Sequence, residues 1–427
     1  MKMPLIQNRN FFRKYPIKQK KKILENINLT EGKPMSETMN QTDKKTDIPK
    51  LKAEFYEIGA AISRLAEAPL TVEIGNTGVN IDLYYHGWPT VVKDENGTLY
   101  AAASLRREHV DPFGVSAFFE SKDGGVTWSS PRIIHDFPVD DRDVGLVYIG
   151  EGRMAATFFT IGSDYFLPGG DYASCWGKCT DEQKTAKLKE WNSYTADELL
   201  KFDGRFVMLT EDYGKTWSEP ISVPFSSPHG PSLMNDGKTL ICSGVSETEF
   251  SAYISKDYGK TWTLYSKVDL PELPPEYSYS EPYVIQLSDG SFLAGIRSEK
   301  SGIIGTSYSI WTMKSNDGKN WTTAQRIPSV VGAPAHFLEL SNGAVLLTYS
   351  YRVGTRGVRG CLSYDGGVTW DTEEFEISNN TSTKNNDLGY PSTVELADGT
   401  LITVYYQPYG DDYPSSLLYT KWKLSPR

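Results

Sequence analysis

Six short segments of this 427-residue chain combine carboxylate, phenol, imidazole and indole side chains, which are groups that proteins use for proton transfer and ligand binding. Three of the five histidines lie in them. A tyrosine in such a segment ionises at about pH 10, so it needs a neighbouring carboxylate to take its proton before it can act as a nucleophile. The segments are Tyr85-His-Gly-Trp-Pro89, Asp140-Asp-Arg-Asp143, Pro228-His-Gly230, Ser280-Glu-Pro282, Ala335-His336 and Asp387-Leu-Gly-Tyr-Pro391.

A repeated hairpin positions these segments. Six turns each lead into an apolar or alternating run, and they are separated by 55, 85, 53, 53 and 56 residues. This near-constant period predicts an all-β fold, a six-bladed β-propeller of about four strands per blade. The start of each innermost strand then lies at one mouth of the central channel, where the six segments meet. The turns are centred on Gly97, Gly152, Gly237, Gly290, Gly343 and Gly399.

A second repeat, an eight-residue phrase, supports the same fold. Each copy places an Asp, a Gly and a Trp in fixed order, which suits a hairpin whose Asp binds turn amides and whose Trp anchors the turn. The fifth copy is one residue shorter. The copies are Ser121–Trp128, Thr210–Trp217, Ser255–Trp262, Ser315–Trp321 and Ser363–Trp370.

The long gap marks an insertion in the second blade, at about residues 163–204, with a helical pattern around Asp181–Trp191. The sixth blade lacks the phrase, so a segment from residues 52–76 is expected to close the ring. We assign residues 51–427 to the propeller and residues 1–50 to a basic, disordered extension.

Charge excludes one class of partner. Residues 1–50 hold 12 Lys and Arg against 5 Asp and Glu, so the remaining chain carries a net charge of -17. A body this acidic repels nucleic-acid backbones. No apolar run is long enough to span a membrane, and the N-terminus has no apolar core of a secretory signal, which predicts a cytoplasmic protein.

The Asp phrase is the Asp-box, or BNR repeat, and residues 80–425 resemble the sialidase superfamily. In that family a tyrosine nucleophile is deprotonated by a glutamate, and an aspartate serves as acid and base. The resemblance implies that Tyr390, in Gly-Tyr-Pro-Ser, is the nucleophile and that Glu281, in Ser-Glu-Pro, is its base. Asp111, five residues after Arg106, resembles the acid and base.

Arginines hold the substrate carboxylate in sialidases. Arg297, which follows Glu281 after a hairpin, resembles one of them, and Arg359, four residues before an Asp-box, resembles another. The first-blade arginine of the family has no counterpart, because Gly87 stands in its place. The full set of predicted substrate-binding residues is Arg297, Arg359, Arg106, His86, Trp88, His229, Arg352, Arg356 and His336, with Arg352 and Arg356 as rivals of Arg359.

The resemblance implies an exo-type, retaining glycoside hydrolase that removes a terminal sugar from a glycan, with an acidic sugar as the first expectation. Because Gly87 replaces the arginine, a neutral sugar stays open as well. Two alternatives stay open: a carbohydrate-binding propeller without catalysis, and a polysaccharide lyase that uses His86, His229 and Tyr390 beside a uronate. We expect no metal and no cofactor, a structural role for Cys175 and Cys179, and loop positions for the carboxylates of Asp140 and Asp141.

Overall fold

The computed structural model describes residues 48–58, 70–176, 178–380, 382, 385–408, 410, 411 and 414–426. Within this part the chain forms six four-stranded antiparallel sheets, which are the blades of a propeller, and one separate hairpin. The predicted extension, residues 1–50, lies almost entirely outside the described residues. Strand β1 (Leu51–Ile58) comes first, followed by the hairpin of β2 (Leu70–Glu73) and β3 (Asn80–Leu83).

The first three blades follow in chain order, each from its innermost to its outermost strand. Blade 1 contains β4 (Tyr85–Lys93), β5 (Leu99–Arg106), β6 (Val115–Ser121) and β7 (Arg132–His135). Blade 2 contains β8 (Asp140–Gly150), β9 (Arg153–Ile161), β10 (Arg205–Thr210) and β11 (Ile221–Ser222). Blade 3 contains β12 (Ser232–Leu233), β13 (Leu240–Val245), β14 (Glu249–Ser255) and β15 (Thr263–Asp269).

The last three blades repeat this order. Blade 4 contains β16 (Tyr277–Gln286), β17 (Phe292–Lys300), β18 (Ser309–Ser315) and β19 (Gln325–Arg326). Blade 5 contains β20 (Ala335–Glu339), β21 (Val345–Tyr351), β22 (Gly357–Ser363) and β23 (Phe375–Asn379). Blade 6 contains β24 (Gly389–Glu395), β25 (Thr400–Pro408) and β26 (Ser415–Pro426).

The ring closes as the sequence predicts. Strand β1 pairs with β26 from Leu51 opposite Pro426 to Ile58 opposite Thr420, so an N-terminal strand completes the C-terminal blade. Each innermost strand also contacts the innermost strands of both neighbouring blades. The six glycine turns join the first and second strands, and all six glycines have a positive φ, between 70° and 89°, which favours glycine over any other residue.

The blade 2 insertion is helical. A short 3₁₀ helix (Ser163–Phe166) precedes α1 (Asp181–Asn192) and α2 (Ala196–Lys201), between β9 and β10. Thr180 and Gln183 form a capping box at α1, which satisfies backbone N–H groups of the first turn. None of the helices in the described residues is long and apolar enough to cross a membrane.

The Asp-boxes lie at the far ends of the third strands, away from the mouth where the innermost strands begin. In the copy after β14, Asp257 accepts hydrogen bonds from Ser255 Oγ (2.8 Å), Thr261 N (2.9 Å) and Thr261 Oγ1 (2.6 Å). The Trp262 indole N–H donates to Gly259 O at 3.0 Å. The Asp-boxes therefore stabilise turns and do not line the channel mouth.

Hydrogen bonds within the boxes should make the fold acid-sensitive. The side-chain and backbone hydrogen bonds from Thr216 lower the pKa of Asp212 from 3.8 to about 2. A carboxyl whose folded pKa is depressed stabilises the fold above its unfolded pKa and loses that stabilisation as the pH falls through the folded value. We expect Tm to fall between about pH 4 and pH 2, and Asp212→Asn to weaken that dependence in calorimetric scans. Glu272→Gln, at an exposed position, is the control and should leave the pH dependence of Tm unchanged. The same pH dependence in Asp212→Asn as in this control would contradict the prediction.

Candidate active site at the channel mouth

Four innermost strands carry a bulge at the mouth, and the bulge turns one side chain of each strand toward the site. The ladder between β16 and β17 slips between Ser280 and Tyr283, and equivalent slips occur in blades 1, 2 and 6. One non-glycine residue in each bulge has a left-handed backbone, which costs about 1–2 kcal/mol and is found mainly at functional sites. These residues are Trp88 (φ 53°), Asp143 (φ 52°), Glu281 (φ 50°) and Tyr390 (φ 49°).

Blades 4 and 6 place a tyrosine, a glutamate and an arginine in direct contact. The Tyr390 hydroxyl donates a short hydrogen bond to Glu281 Oε1. Arg297 Nη1 donates to both oxygens of Glu281 (2.6 and 2.7 Å) and lies 3.2 Å from Tyr390 Oη. Its Nη2 donates to Glu299 Oε2 at 2.6 Å. Glu281 is therefore placed to take the proton of Tyr390, and Arg297 to stabilise the phenolate.

The electrostatics of this group keep the proton on the phenol at rest. Burial and the charge of Glu281 raise the pKa of Tyr390 well above its usual value, although the Arg297 guanidinium opposes this. Charge pairing with Glu281 also holds the pKa of Arg297 well above the usual range, against the effect of burial. Tyr390 can consequently attack only as its proton moves to Glu281.

Blade 1 supplies an indole that is enclosed by two guanidinium groups. The Cζ atoms of Arg106 and Arg142 each lie 4.8 Å from the Trp88 ring centroid. Asp140 pairs with both arginines, at 3.0 and 3.3 Å. Trp88 is 2% exposed, so it supports the site from behind and has no free face for a sugar.

Asp143, the bulge residue of blade 2, has one carboxylate oxygen that is buried without a hydrogen-bond partner. Burial raises its pKa to about 6, and the charge of Glu281 acts in the same direction against that of Arg142. A carboxyl in this state titrates just below neutral pH.

A second cluster joins blade 6 to the loop between β5 and β6. Asp387 accepts hydrogen bonds from Tyr85 Oη (2.5 Å) and Tyr406 Oη (2.8 Å), and its Oδ2 lies 2.9 Å from His109 Nδ1. Burial alone would raise the pKa of Asp387, but the His109 and Tyr85 hydrogen bonds hold it below its usual range. Asp387 is therefore an ionised carboxylate that accepts three hydrogen bonds.

The two clusters surround the same indole. The Trp88 ring centroid lies 5.2 Å from that of His109, 6.3 Å from that of Tyr390 and 5.5 Å from that of Tyr406. The Tyr390 and Tyr406 rings are 5.9 Å apart. The mouth therefore combines a tyrosine–glutamate–arginine group with a histidine–aspartate pair in one site.

Arg352 completes the wall between blades 5 and 6. Its Nε and Nη2 donate to Leu388 O at 3.0 and 2.7 Å, and its guanidinium lies 5.7 Å from the Tyr308 ring centroid. Arg297 lies over the same ring at 4.4 Å. Of the three arginines that compete for the blade 5 role in the sequence, Arg352 is the one beside Tyr390.

The other two blade 5 arginines lie elsewhere. Arg359 pairs with Glu376 at 3.0 Å and donates to Thr355 O at 2.7 Å, in the outer part of the blade. Arg356 is half-buried in the loop before β22 and makes no hydrogen bond or ion pair with the site among the described residues. Neither bonds to Tyr390, Glu281 or Asp387 among the described residues.

Asp111 is also placed differently from the family's acid and base. It is fully buried, and its carboxylate accepts hydrogen bonds from the backbone N–H groups of Arg107 (2.9 Å), Glu108 (2.6 Å) and Phe113 (2.9 Å). These bonds shape the loop between β5 and β6. Two residues earlier, the same loop presents His109 to the site.

The side chains of the three predicted pocket histidines, His86, His229 and His336, are all buried. His336 Nε2 is 3.2 Å from Ser392 Oγ, two residues further along the innermost strand than Tyr390, and the His229 ring is 5.0 Å from that of His336. Burial lowers the pKa of His336 to about 3 and that of His86 to about 4. Burial also holds the pKa of His229 well below its usual value, so all three imidazoles are neutral, and none bonds to Tyr390 among the described residues.

Space explains the missing first-blade arginine. A Cβ atom at Gly87 would lie 3.1 Å from Tyr85 Cε1 and 3.8 Å from Tyr406 Cδ2, so the two tyrosines that bind Asp387 fill the region beyond it. Where the family has a guanidinium, this chain has aromatic rings and a carboxylate.

The insertion fixes the loops that carry the site. Trp191 Nε1 and Lys187 Nζ donate to Pro138 O, at 2.7 and 3.2 Å, just before β8. Gln183 Oε1 accepts from Arg107 Nη1 at 3.1 Å, in the loop of His109. Helix α1 therefore positions both neighbouring loops.

The expectation that Asp140 and Asp141 are loop carboxylates is wrong. Both are completely buried on β8, where Asp140 pairs with two arginines and Asp141 accepts from His135 Nδ1 at 2.7 Å. His109, Arg142, Asp143 and Tyr406 were not predicted as site residues, nor was the role of Asp387. A signal existed for three of these five residues, because Arg142, Asp143 and Asp387 stand in the segments that converge on the mouth.

Comparison with known proteins agrees with this architecture. The BNR/Asp-box repeat family model matches residues 253–264. The fold is similar to that of a protein of unknown function from Dyadobacter fermentans, with 20% identity over 80% of this chain and 95% of that chain and a TM-score of 0.62. It is also similar to that of the NanB sialidase from Streptococcus pneumoniae, with 14% identity over 84% of this chain and 72% of that chain and a TM-score of 0.57. A leech intramolecular trans-sialidase has a similar fold too, with 15% identity over 84% of this chain and 70% of that chain and a TM-score of 0.54. A search of curated protein sequences found no match.

Proposed function

We propose that this sialidase-like Asp-box propeller is a retaining, exo-type glycoside hydrolase that removes a terminal sugar from a glycan. The observation that carries the proposal is the contact of Tyr390 with Glu281 and Arg297 at the channel mouth. Two of the three residues are held in left-handed bulges, a strain that a purely structural hydrogen bond would not need.

In the proposed reaction Tyr390 Oη attacks the anomeric carbon while its proton passes to Glu281, and the bond to the aglycone oxygen breaks. Arg297 donates to Glu281 Oε1 and to Tyr390 Oη, so it stabilises the negative charge as that charge moves from the glutamate to the phenol oxygen. Water then hydrolyses the glycosyl-tyrosine, and the anomeric configuration is retained because inversion occurs twice.

Charge favours a sugar without a carboxylate on its anomeric carbon. The side chains of Glu281, Glu299 and Asp387 are 20%, 28% and 18% exposed, whereas those of Arg106, Arg142 and Arg297 are 8% exposed or less and already paired. Arg352 is half-buried and makes no ion pair among the described residues, but it stands against these three partly exposed carboxylates, so an anionic sugar is disfavoured. This favours a neutral sugar over an acidic one, the two kinds that the sequence leaves open.

The two alternative functions receive less support. A binding propeller does not require a buried tyrosine whose hydroxyl donates to a glutamate. A lyase using His86 and His229 would need those imidazoles to reach the substrate, but both side chains are buried.

A hydrolysis screen tests the proposal. Aryl glycosides of neutral, amino, uronic and sialic sugars are incubated with the protein, and aglycone release and formation of an unsaturated sugar are both followed by absorbance. We expect release from a neutral glycoside and no unsaturated product. Unsaturated product would identify a lyase, and no reaction together with binding on a glycan array would identify a binding protein; either result would overturn the proposal.

A further inference from the structure

The site contains a group that fits the missing proton donor. A retaining glycosidase needs an acid that protonates the leaving oxygen and then, as a base, deprotonates the attacking water. Asp111, the residue that the sequence predicts for this role, is enclosed and bound to three backbone N–H groups. We propose that His109 is the acid and base of the reaction and that Asp387 is its positioning residue. This inference rests on the proposed function.

The hydrogen bond with Asp387 fixes the tautomer of His109. An ionised carboxylate can only accept, so Nδ1 carries the hydrogen in the pair with Asp387 Oδ2. The other ring nitrogen, Nε2, has no hydrogen-bond partner in the part of the chain that the structure describes, and the side chain is 49% exposed. Nε2 is therefore the atom that is free to exchange a proton with a substrate.

The surroundings of His109 hold it in place from two blades. Its backbone carbonyl accepts from Arg142 Nη1 at 3.0 Å and from Arg106 Nη1 at 3.4 Å, and its ring packs edge-on against Trp88. Tyr85 Oη lies 3.2 Å from Nδ1 and bonds to the same carboxylate oxygen. The imidazole thus has one orientation, as an acid and base requires.

The proton balance closes over two steps. In the first, Tyr390 Oη bonds to the anomeric carbon, the tyrosine proton goes to Glu281, and the Nε2 proton of the imidazolium goes to the departing aglycone oxygen. In the second, water gives a proton to Nε2 while its oxygen attacks the anomeric carbon, and Tyr390 leaves with the proton from Glu281. The sum is hydrolysis of one glycosidic bond.

The role requires a protonated imidazole at the start of each cycle. Removal from water and the charges of Arg142 and Arg106 lower the pKa of His109, whereas the hydrogen bond and charge of Asp387 raise it. The net effect is a pKa below the usual value of 6.5. The rate of the first step should therefore decline as the pH rises through a value below 6.5.

The test compares leaving groups. His109→Gln should lower kcat/KM by about 10²-fold or more for a methyl glycoside and far less for a dinitrophenyl glycoside, whose leaving group needs no proton. Azide should restore turnover and yield a glycosyl azide, which a loss of folding would not do. The alkaline limb of the pH profile should disappear. Glu108→Gln, in the same loop, is the matched control and should retain full activity.

Each failure is distinguishable. If wild type hydrolyses a glycoside through Tyr390 but His109→Gln responds equally to both leaving groups, the role of His109 is wrong and the proposed function stands. If Asp143→Asn instead shows the leaving-group difference and azide rescue, Asp143 is the acid and the inference is overturned. If wild type hydrolyses no glycoside, both proposals fall together.

Discussion

Tyr390→Phe should reduce kcat of the glycoside that the protein hydrolyses by at least about 10³-fold, with little change in Tm. The variant keeps the ring packing against Trp88 and Tyr406 but loses the oxygen that would bond to the anomeric carbon. Steady-state kinetics on purified wild type and variant measure the effect. Because only the hydroxyl is removed, a large loss of kcat would identify a chemical role for that oxygen and not a change in side-chain packing.

The neighbouring Tyr405 provides a matched control. Tyr405 lies on β25 and is buried, as Tyr390 is on β24. Its hydroxyl lies 3.0 Å from Thr420 Oγ1, away from the mouth. Tyr405→Phe should cost about 1 kcal/mol of stability and leave kcat unchanged. Equal kcat values for wild type and Tyr390→Phe would contradict the nucleophilic role.

Asp140→Ala should lower the free energy of unfolding by about 3–5 kcal/mol. Asp140 is the shared counter-ion of Arg106 and Arg142, whose side chains are 0% and 8% exposed. Without it, two buried guanidinium groups face each other with no carboxylate between them. Removing one partner of a buried ion pair is destabilising because the remaining charge stays out of water.

Urea denaturation measures this change. Asp82→Ala, at an exposed position in the hairpin of β2 and β3, is the control and should shift the free energy by no more than about 0.5 kcal/mol. A loss below about 1 kcal/mol for Asp140→Ala would show that the two arginines do not depend on this carboxylate.

The fold was predictable because its signals are local. A turn glycine with positive φ, such as Gly290, and an Asp-box such as Ser255–Trp262 each specify a hairpin from a few consecutive residues. Their regular spacing then fixes the number of blades. The pairing of β1 with β26 is long-range, but the missing sixth Asp-box left one strand position for it to fill.

The site was only partly predictable because its contacts join different blades. Glu281, Arg297 and Tyr390 could be matched to a family pattern, and the structure brings them together. Within the loop between β5 and β6, however, the sequence does not reveal which of Asp111 and His109 faces the mouth. That choice depends on Asp387 and Arg142, which come from blades 6 and 2.

The positions of several charged residues were also unpredictable, because their burial depends on how the blades pack. Asp140 looked like a loop carboxylate, since its two arginine partners are recognisable only once blades 1 and 2 pack together. Likewise, Arg352 and Arg359 are equivalent in the sequence. They separate in the structure because β22 directs Arg359 toward Glu376, whereas Arg352 follows β21 at the mouth.

The most direct test of the account is to trap the glycosyl-enzyme. The protein is incubated with fluorinated glycosyl fluorides of the neutral, amino and acidic sugars, and the digested product is analysed by mass spectrometry. We expect one sugar per chain on the peptide that contains Tyr390, and no adduct in Tyr390→Phe. An adduct on Glu281 or Asp143, or turnover of a glycoside with no adduct at all, would contradict a tyrosine nucleophile.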